Sequence, residues 1–240
     1  MFGLGLLEFM MLAVIGVVFT LPFWKIFSKA GFSMTLKNGV ASERARASWV
    51  RGLLIAWIAV SAIAIVSGIG QYNLLDRAAS GARITQAEVA ANDARQGMIT
   101  LLQVLVFWTT AICWLVWLHR AYSNLGLMGT RKSDYTPGWA IGWWYIPIMN
   151  LFRPYQVTKE LWLRSAKRNV LDSIKEFAAP GVVMWWWAVY IISAFLALAL
   201  RRQPGQSIDE LQGVALMTLF LDGLGIVSAL LALTVVSGID

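Results

Sequence analysis

Charged residues are scarce, at 14% of a 240-residue chain, and cysteine and histidine occur once each, as Cys113 and His119. A single cysteine excludes an internal disulfide and a thiolate metal cluster. One histidine excludes a two-histidine zinc or haem site, and at a helix end it reads as an interfacial residue. The chain carries no H-E-x-x-H, nucleophile elbow or glycine-rich phosphate loop. Without a nucleophile, metal set or acid/base pair, the expectation is a protein that is not an enzyme and holds no cofactor. Acids are the rarer charge, 13 Asp and Glu against 20 Lys and Arg, for a net charge of +7. That excess falls between apolar runs rather than on a folded basic face, so membrane topology explains it better than nucleic acid does.

What the chain has in plenty is apolar surface. Hydrophobic residues make up 58% and mean hydropathy is +0.64, against roughly 45–50% apolar usage in soluble domains. The expected fold class is all-α: a polytopic membrane helix bundle of about five transmembrane helices, one Pro-broken Trp-rich helix and a cytoplasmic amphipathic helix. The whole chain, 1–240, reads as a single membrane domain, with an N-terminal helix within 1–30, a core over 49–200 and a C-terminal hairpin helix over 201–240.

Residues 9–27 form the first expected span; no Lys or Arg precedes it and no A-x-A site follows, so it reads as a retained helix rather than a cleaved signal. Lys25, Lys29, Lys37, Arg44, Arg46 and Arg51 then face the single acid Glu43, which by the positive-inside rule makes that stretch cytoplasmic and the N-terminus external. Further spans are expected at 49–69, 98–118, 181–200 and 211–236, leaving the C-terminus inside. Thr85 to Glu88 has the spacing of a capping box, so a helix should start there and feed into the third span. The stretch 154–178 carries Val157, Leu161, Val170, Ile174 and Phe177 near helical spacing, with basic residues on its other side, and Pro180 should restart the chain into the fourth span.

Between the third span and that amphipathic stretch lies P-G-W-A-I-G-W-W-Y-I-P-I-M-N-L-F-R-P, residues 137–154. It breaks before the ~20 apolar residues that a spanning helix needs. Thr136 suits an N-cap and Pro137 a first helical position, where its missing N–H costs nothing. Pro147 should remove a helical rung and leave the carbonyl of Trp143 without its partner. Backbone broken at membrane depth survives only against protein or water, so the element should be re-entrant or interfacial rather than spanning. Crossing would also place the basic residues after Pro154 outside. Most tryptophans, among them Trp49, Trp114, Trp117, Trp139, Trp143, Trp144 and Trp185 to Trp187, should then line the cytoplasmic interface as anchors.

The runs from Trp117 through His119, Arg120, Tyr122 and Asn124, from Pro137 through Trp143, Trp144, Pro147 and Asn150, from Arg153 through Gln156, Glu160 and Trp162, and the Trp185 triplet together resemble the DUF4328 family of uncharacterised bacterial membrane proteins, over about 49–200. The resemblance implies a bacterial inner-membrane location and no established activity. It supplies no catalytic residues.

Four constellations follow from the residues. Gly138 and Gly142 form a small-xxx-small step that should let another helix backbone approach, within the chain or from a partner, with Trp139 and Trp143 facing elsewhere. Arg120, Asn124, Asn150 and Glu160 share the cytoplasmic boundary; Arg120 is expected to pair with Glu160 and Asn150 to cap the broken backbone, as a fold-locking network or a ligand site. Asp222 is an acid near the middle of a span, hydrogen-bonded to one of Ser61, Thr109, Thr110, Tyr190 or Ser193, or else the proton or cation step of a transporter. The basic residues after Pro154 suit anionic lipid. Expected partners are therefore the lipid bilayer and other membrane protein subunits, with no nucleic acid. The first reading is a structural or accessory subunit; a small transporter or channel using Asp222 is the alternative.

Overall fold

The computed structural model describes residues 36–127, 134–166, 173–200 and 207–240, with side chains over 45–125, 134–165, 181–200 and 207–240. Every regular element among them is helical: α1 (Leu36–Ala79), α2 (Gln86–Leu127), α3 (Pro137–Gly142), two 3-10 turns (Trp143–Tyr145 and Met149–Leu151), α4 (Arg153–Ala166), α5 (Ser173–Leu200) and α6 (Ile208–Ile239). Four helical stretches are long and apolar enough to cross a membrane: Ala45–Ala79, Gln86–Leu125, Gly181–Leu200 and Ile208–Ile239. They coincide with the second to fifth expected spans, and the expected span at 9–27 lies outside the described residues.

The helices outrun the apolar windows that announce them. α1 has 44 residues and α2 has 42, about 66 and 63 Å at 1.5 Å per residue, against a hydrocarbon core of about 30 Å. Their connection is short because both ends are capped. Gly81, at φ +78°, closes α1, with Gly81 N–H bonded to Ala78 O at 3.1 Å and Ala82 N–H to Arg77 O at 3.0 Å; a left-handed glycine after a helix supplies these bonds without a Cβ clash. Four residues on, Thr85 and Glu88 form the expected capping box: Thr85 N–H reaches Glu88 Oε2 at 2.9 Å and Glu88 N–H reaches Thr85 Oγ1 at 3.2 Å.

Pro180 does not restart the chain as expected. It lies inside α5, which already begins at Ser173. A proline removes one rung, and a helix of 28 residues with a strongly apolar body has enough remaining rungs to continue through it.

The chain divides into two compact units, one of residues 1–50, 112–180 and 237–240, the other of residues 51–111 and 181–236. In the first, α2 buries Trp114, Trp117, Leu118, Ala121, Tyr122 and Leu125, a stripe at three- and four-residue spacing, and α4 buries Pro154, Val157, Thr158, Leu161 and Trp162 at the same spacing. The expected amphipathic helix is present over 153–166 only; Val170 lies outside the described residues, and Ile174 and Phe177, expected on the same helix, belong instead to α5. Trp114, Trp117, Trp186 and Trp187 are buried against the protein, because their spacing puts them on packed faces. Trp49, Trp139 and Trp185 are exposed.

The second unit is tied by polar rungs and by glycines that let side chains close in. Arg95 Nε donates to Ser67 Oγ at 2.9 Å and Nη2 to Asn92 Oδ1 at 2.7 Å, while Gln96 Nε2 donates to the Ser67 carbonyl at 3.2 Å. Gly70 leaves room for that guanidinium, since a Cβ there would sit 3.3 Å from Arg95 Nη2. Trp57 lies against Gly225, whose added Cβ would meet the indole nitrogen at 3.2 Å, and its ring tilts onto Phe107 at 6.0 Å.

Candidate functional site

The Trp-rich element starts as its sequence dictates. Thr136 is in an extended conformation (φ −85°, ψ 154°), its hydroxyl accepts from Trp139 N–H at 3.4 Å, and Pro137 takes the first helical position. α3 then lasts only six residues, a rise of about 9 Å. The helix ends at Gly142, earlier than Pro147 alone would require, and tightens into the 3-10 turn Trp143–Tyr145. Ile146 is extended (φ −97°, ψ 110°), as the residue before a proline prefers. Asn150 N–H returns to Ile146 O at 2.7 Å, so the main chain of Asn150, rather than its side chain, closes the break. Its amide oxygen is buried without a hydrogen-bond partner, which overturns the expected side-chain cap. The two 3-10 turns pack on each other, and α3 and the first of them pack on α4, so the chain folds back on itself within this short element.

The small-xxx-small step works differently from expectation. No atom lies within 4 Å of a Cβ built on Gly138, and at Gly142 the nearest neighbour is the ring of Trp139, at 3.2 Å. Trp139 does not face away: its indole covers Gly142 from one turn back and stacks on Trp143, centroids 4.5 Å apart and 29° between planes. The glycine makes space for an aromatic pair within the element, not for a second backbone.

Glu160 on α4 is the polar centre of the first unit, with a different cation from the one expected. Its Oε2 accepts from the Tyr122 hydroxyl, its Oε1 accepts from Asp134 N–H at 3.0 Å, and Arg164 Nη2 lies 2.7 Å from Oε1. Tyr122 in turn accepts from Tyr135 N–H at 3.3 Å, and Arg164 Nη2 lies 3.8 Å from Asp134 Oδ1. One carboxylate thus joins α2, the segment leading into α3, and α4. The Glu160 and Arg164 side chains are only 11% and 18% exposed, so the pair is shielded more than a surface ion pair, and each partner is needed to offset the other's desolvation. Arg164 takes the place expected for Arg120, since it lies one turn from Glu160 on the same helix. Arg120 and Asn124 are half-buried on the same end of α2, and Trp144 is likewise half-buried beside Trp143.

A second cluster adjoins it in sequence. Arg153 Nη1 donates to the Tyr135 hydroxyl and to Gln156 Oε1, both at 3.0 Å, and the Tyr135 hydroxyl donates to the same Gln156 oxygen at 3.1 Å. The guanidinium carbon stands 5.2 Å from the Trp143 ring centroid and 5.7 Å from that of Tyr135, within cation–π range. In the same element, Trp139, Ile146, Pro147, Ile148, Met149 and Phe152 are exposed.

Asp222 belongs to the second unit and draws a partner the sequence did not suggest: Gln103 Nε2 donates to its Oδ1 at 2.8 Å. The hydroxyls expected to serve it turn back on their own helices, Thr109 to Leu105 O, Thr110 to Val106 O and Ser193 to Val189 O, at 2.6 to 2.8 Å. Such i−4 bonds satisfy a hydroxyl locally. Ser61 Oγ is buried without a hydrogen-bond partner. The longer glutamine side chain cannot close so compact a loop and reaches across from α2 to α6.

Seven participants escape the list of expected residues: Tyr122, Asp134, Tyr135, Arg153, Gln156, Arg164 and Gln103. Glu160 and Arg164 carry a readable i, i+4 signal, and the others are joined only by the fold. No curated protein and no solved structure matches the chain. The family model described as "Domain of unknown function (DUF4328)" matches residues 80–240, which begins later than the resemblance at 49 and extends past it to take in Asp222. Two thirds of the sequence, including the broken element and both polar centres of the structure, lies inside that match, and the chain belongs to the DUF4328 family.

Proposed function

We propose that the protein is a structural or accessory subunit of a bacterial inner-membrane assembly, a non-enzymatic platform whose Trp-rich element meets other membrane protein subunits and lipid. The observation that carries this reading is the contrast within the first unit. The mostly buried Glu160 carboxylate of α4 ties α2 to the segment that leads into the element, while Ile148 and Phe152 of the element are exposed among the described residues, at 70% and 60%. Rigidly held, uncovered apolar side chains suit an interface or a lipid boundary. In this reading the element enters and leaves on the cytoplasmic side, the N-terminus is external and the C-terminus cytoplasmic. Purification of the full chain in mild detergent, followed by mass spectrometry of what co-elutes, tests it: a stoichiometric membrane partner is expected, and a solitary protein that conducts ions or solutes in liposomes contradicts it.

A small transporter or channel is the second reading, favoured by the ionisable Asp222 near the centre of a candidate span. The hydrogen bond from Gln103 equally suits a clamp between two spans. Asp222→Asn separates the two: unchanged stability with lost proton-coupled flux selects transport.

A further inference from the structure

Arg153 differs from the other arginine of the broken element's surroundings in what it touches. Arg164 meets two carboxylates, whereas Arg153 meets only the neutral oxygens of Tyr135 and Gln156 and two aromatic faces. A guanidinium has five N–H donors; two are used here, and the other three remain without an acceptor among the described residues. No carboxylate among the described residues lies within ion-pair distance of it. The rings of Trp143 and Tyr135 restrict the plane of the fork and leave its charge uncancelled. A planar fork with spare donors matches two oxygens of a phosphate.

The surroundings select the source of that phosphate. Phe152, next to Arg153 in the chain, and Ile148 are the most exposed large apolar side chains of the element. A free phosphate gains nothing from uncovered phenyl and butyl groups, whereas a phospholipid presents an anionic headgroup and acyl chains in one molecule. We infer that Arg153, with Phe152 next to it in the chain and Ile148 exposed in the same element, seats one anionic phospholipid, the guanidinium taking the headgroup phosphate and the apolar side chains meeting the upper acyl chains. This rests on the reading of the element as lying at the bilayer boundary, and it names the lipid partner within that reading.

The test uses the full chain in nanodiscs of equal phosphatidylglycerol and phosphatidylcholine, released for native mass spectrometry. Wild-type protein should retain phosphatidylglycerol over phosphatidylcholine by about fivefold, the ratio that about 1 kcal/mol per basic residue corresponds to. Arg153→Gln should erase the preference, and Arg153→Lys, which keeps the charge and loses the fork, should fall between. Equal retention of the two lipids by the wild type overturns the proposal without recourse to a variant. So does an unchanged preference in Arg153→Gln, and so does full displacement of the lipid by millimolar inorganic phosphate, which marks a free-anion site. The co-eluting subunit is read from the same preparation: its presence with no lipid preference sinks the seat alone, and its absence with the preference intact sinks the platform alone.

Discussion

Gly238, two residues from the end of the chain, sits under the ring of Trp162, and its replacement by alanine probes the packing of the first unit with a single methyl group. A Cβ at Gly238 would fall under 3.0 Å from three atoms of that ring, the farthest of them at 2.8 Å. Ordinary carbon contacts lie at about 3.5–4.0 Å, so the indole must retreat by roughly 1.5 Å. Trp162 is only 5% exposed, and overpacking of this kind typically costs about 1–3 kcal/mol. Opposing it, alanine gains up to about 1 kcal/mol of helix propensity over glycine, less so near a helix end. The clash wins, and Gly238→Ala should destabilise by about 1–2 kcal/mol, read as a lowered midpoint in thermal unfolding followed by size-exclusion chromatography in detergent. Gly223 provides the control, since nothing lies within 4 Å of a Cβ there; Gly223→Ala should be neutral or stabilising. Combining Gly238→Ala with Trp162→Leu should remove the clash, so the alanine adds no further loss in that background. A Gly238→Ala midpoint at or above that of the wild type would refute the placement of Trp162 on the end of α6.

Other perturbations address the polar centres. Glu160→Arg sets like charges one helical turn apart beside Arg164 and should lower folded yield sharply; adding Arg164→Glu should recover part of it, while adding Arg120→Glu should not, and the reverse pattern would reinstate Arg120 as the partner. Tyr122→Phe removes a donor to Glu160 and the acceptor of Tyr135 N–H, and should cost about 1–3 kcal/mol in the same unfolding assay; no loss would mean that the three-way junction carries no stability. Gln103→Leu strands Asp222 and should destabilise by about 0.5–1.5 kcal/mol, the range of hydrogen bonds between membrane helices. Asp222→Asn keeps an acceptor for Gln103 and should be nearly neutral, so a larger loss from Asp222→Asn than from Gln103→Leu would contradict the clamp.

Much of this architecture is legible in the residues because its signals are local. Apolar windows announce four spans, the Thr85 and Glu88 spacing announces a cap, and Thr136 with Pro137 announces the start of α3. Helix ends are less legible, since α1 runs ten residues past the expected end of its span at 69, where apolar content thins but nothing breaks the helix before Gly81. Partner choice is least legible. Arg120 and Tyr122 are both polar, both in the family-like run and two residues apart, and only the rotation of α2 decides which one meets Glu160. Gly142 carries the same lesson: two glycines four apart suggest a helix crossing, yet the large side chain already at Trp139 fills the gap first.

In the platform reading, residues 137–152 return to the side from which they enter. Single cysteines at Ser133 and Asn169, each in a Cys113→Ala background, can be probed in intact cells with a membrane-impermeant maleimide. Both positions are expected to stay unlabelled until the inner membrane is opened, and then to label together. Labelling of either one alone in intact cells would put the two flanks in opposite compartments and contradict the re-entrant element, and with it the platform built on it.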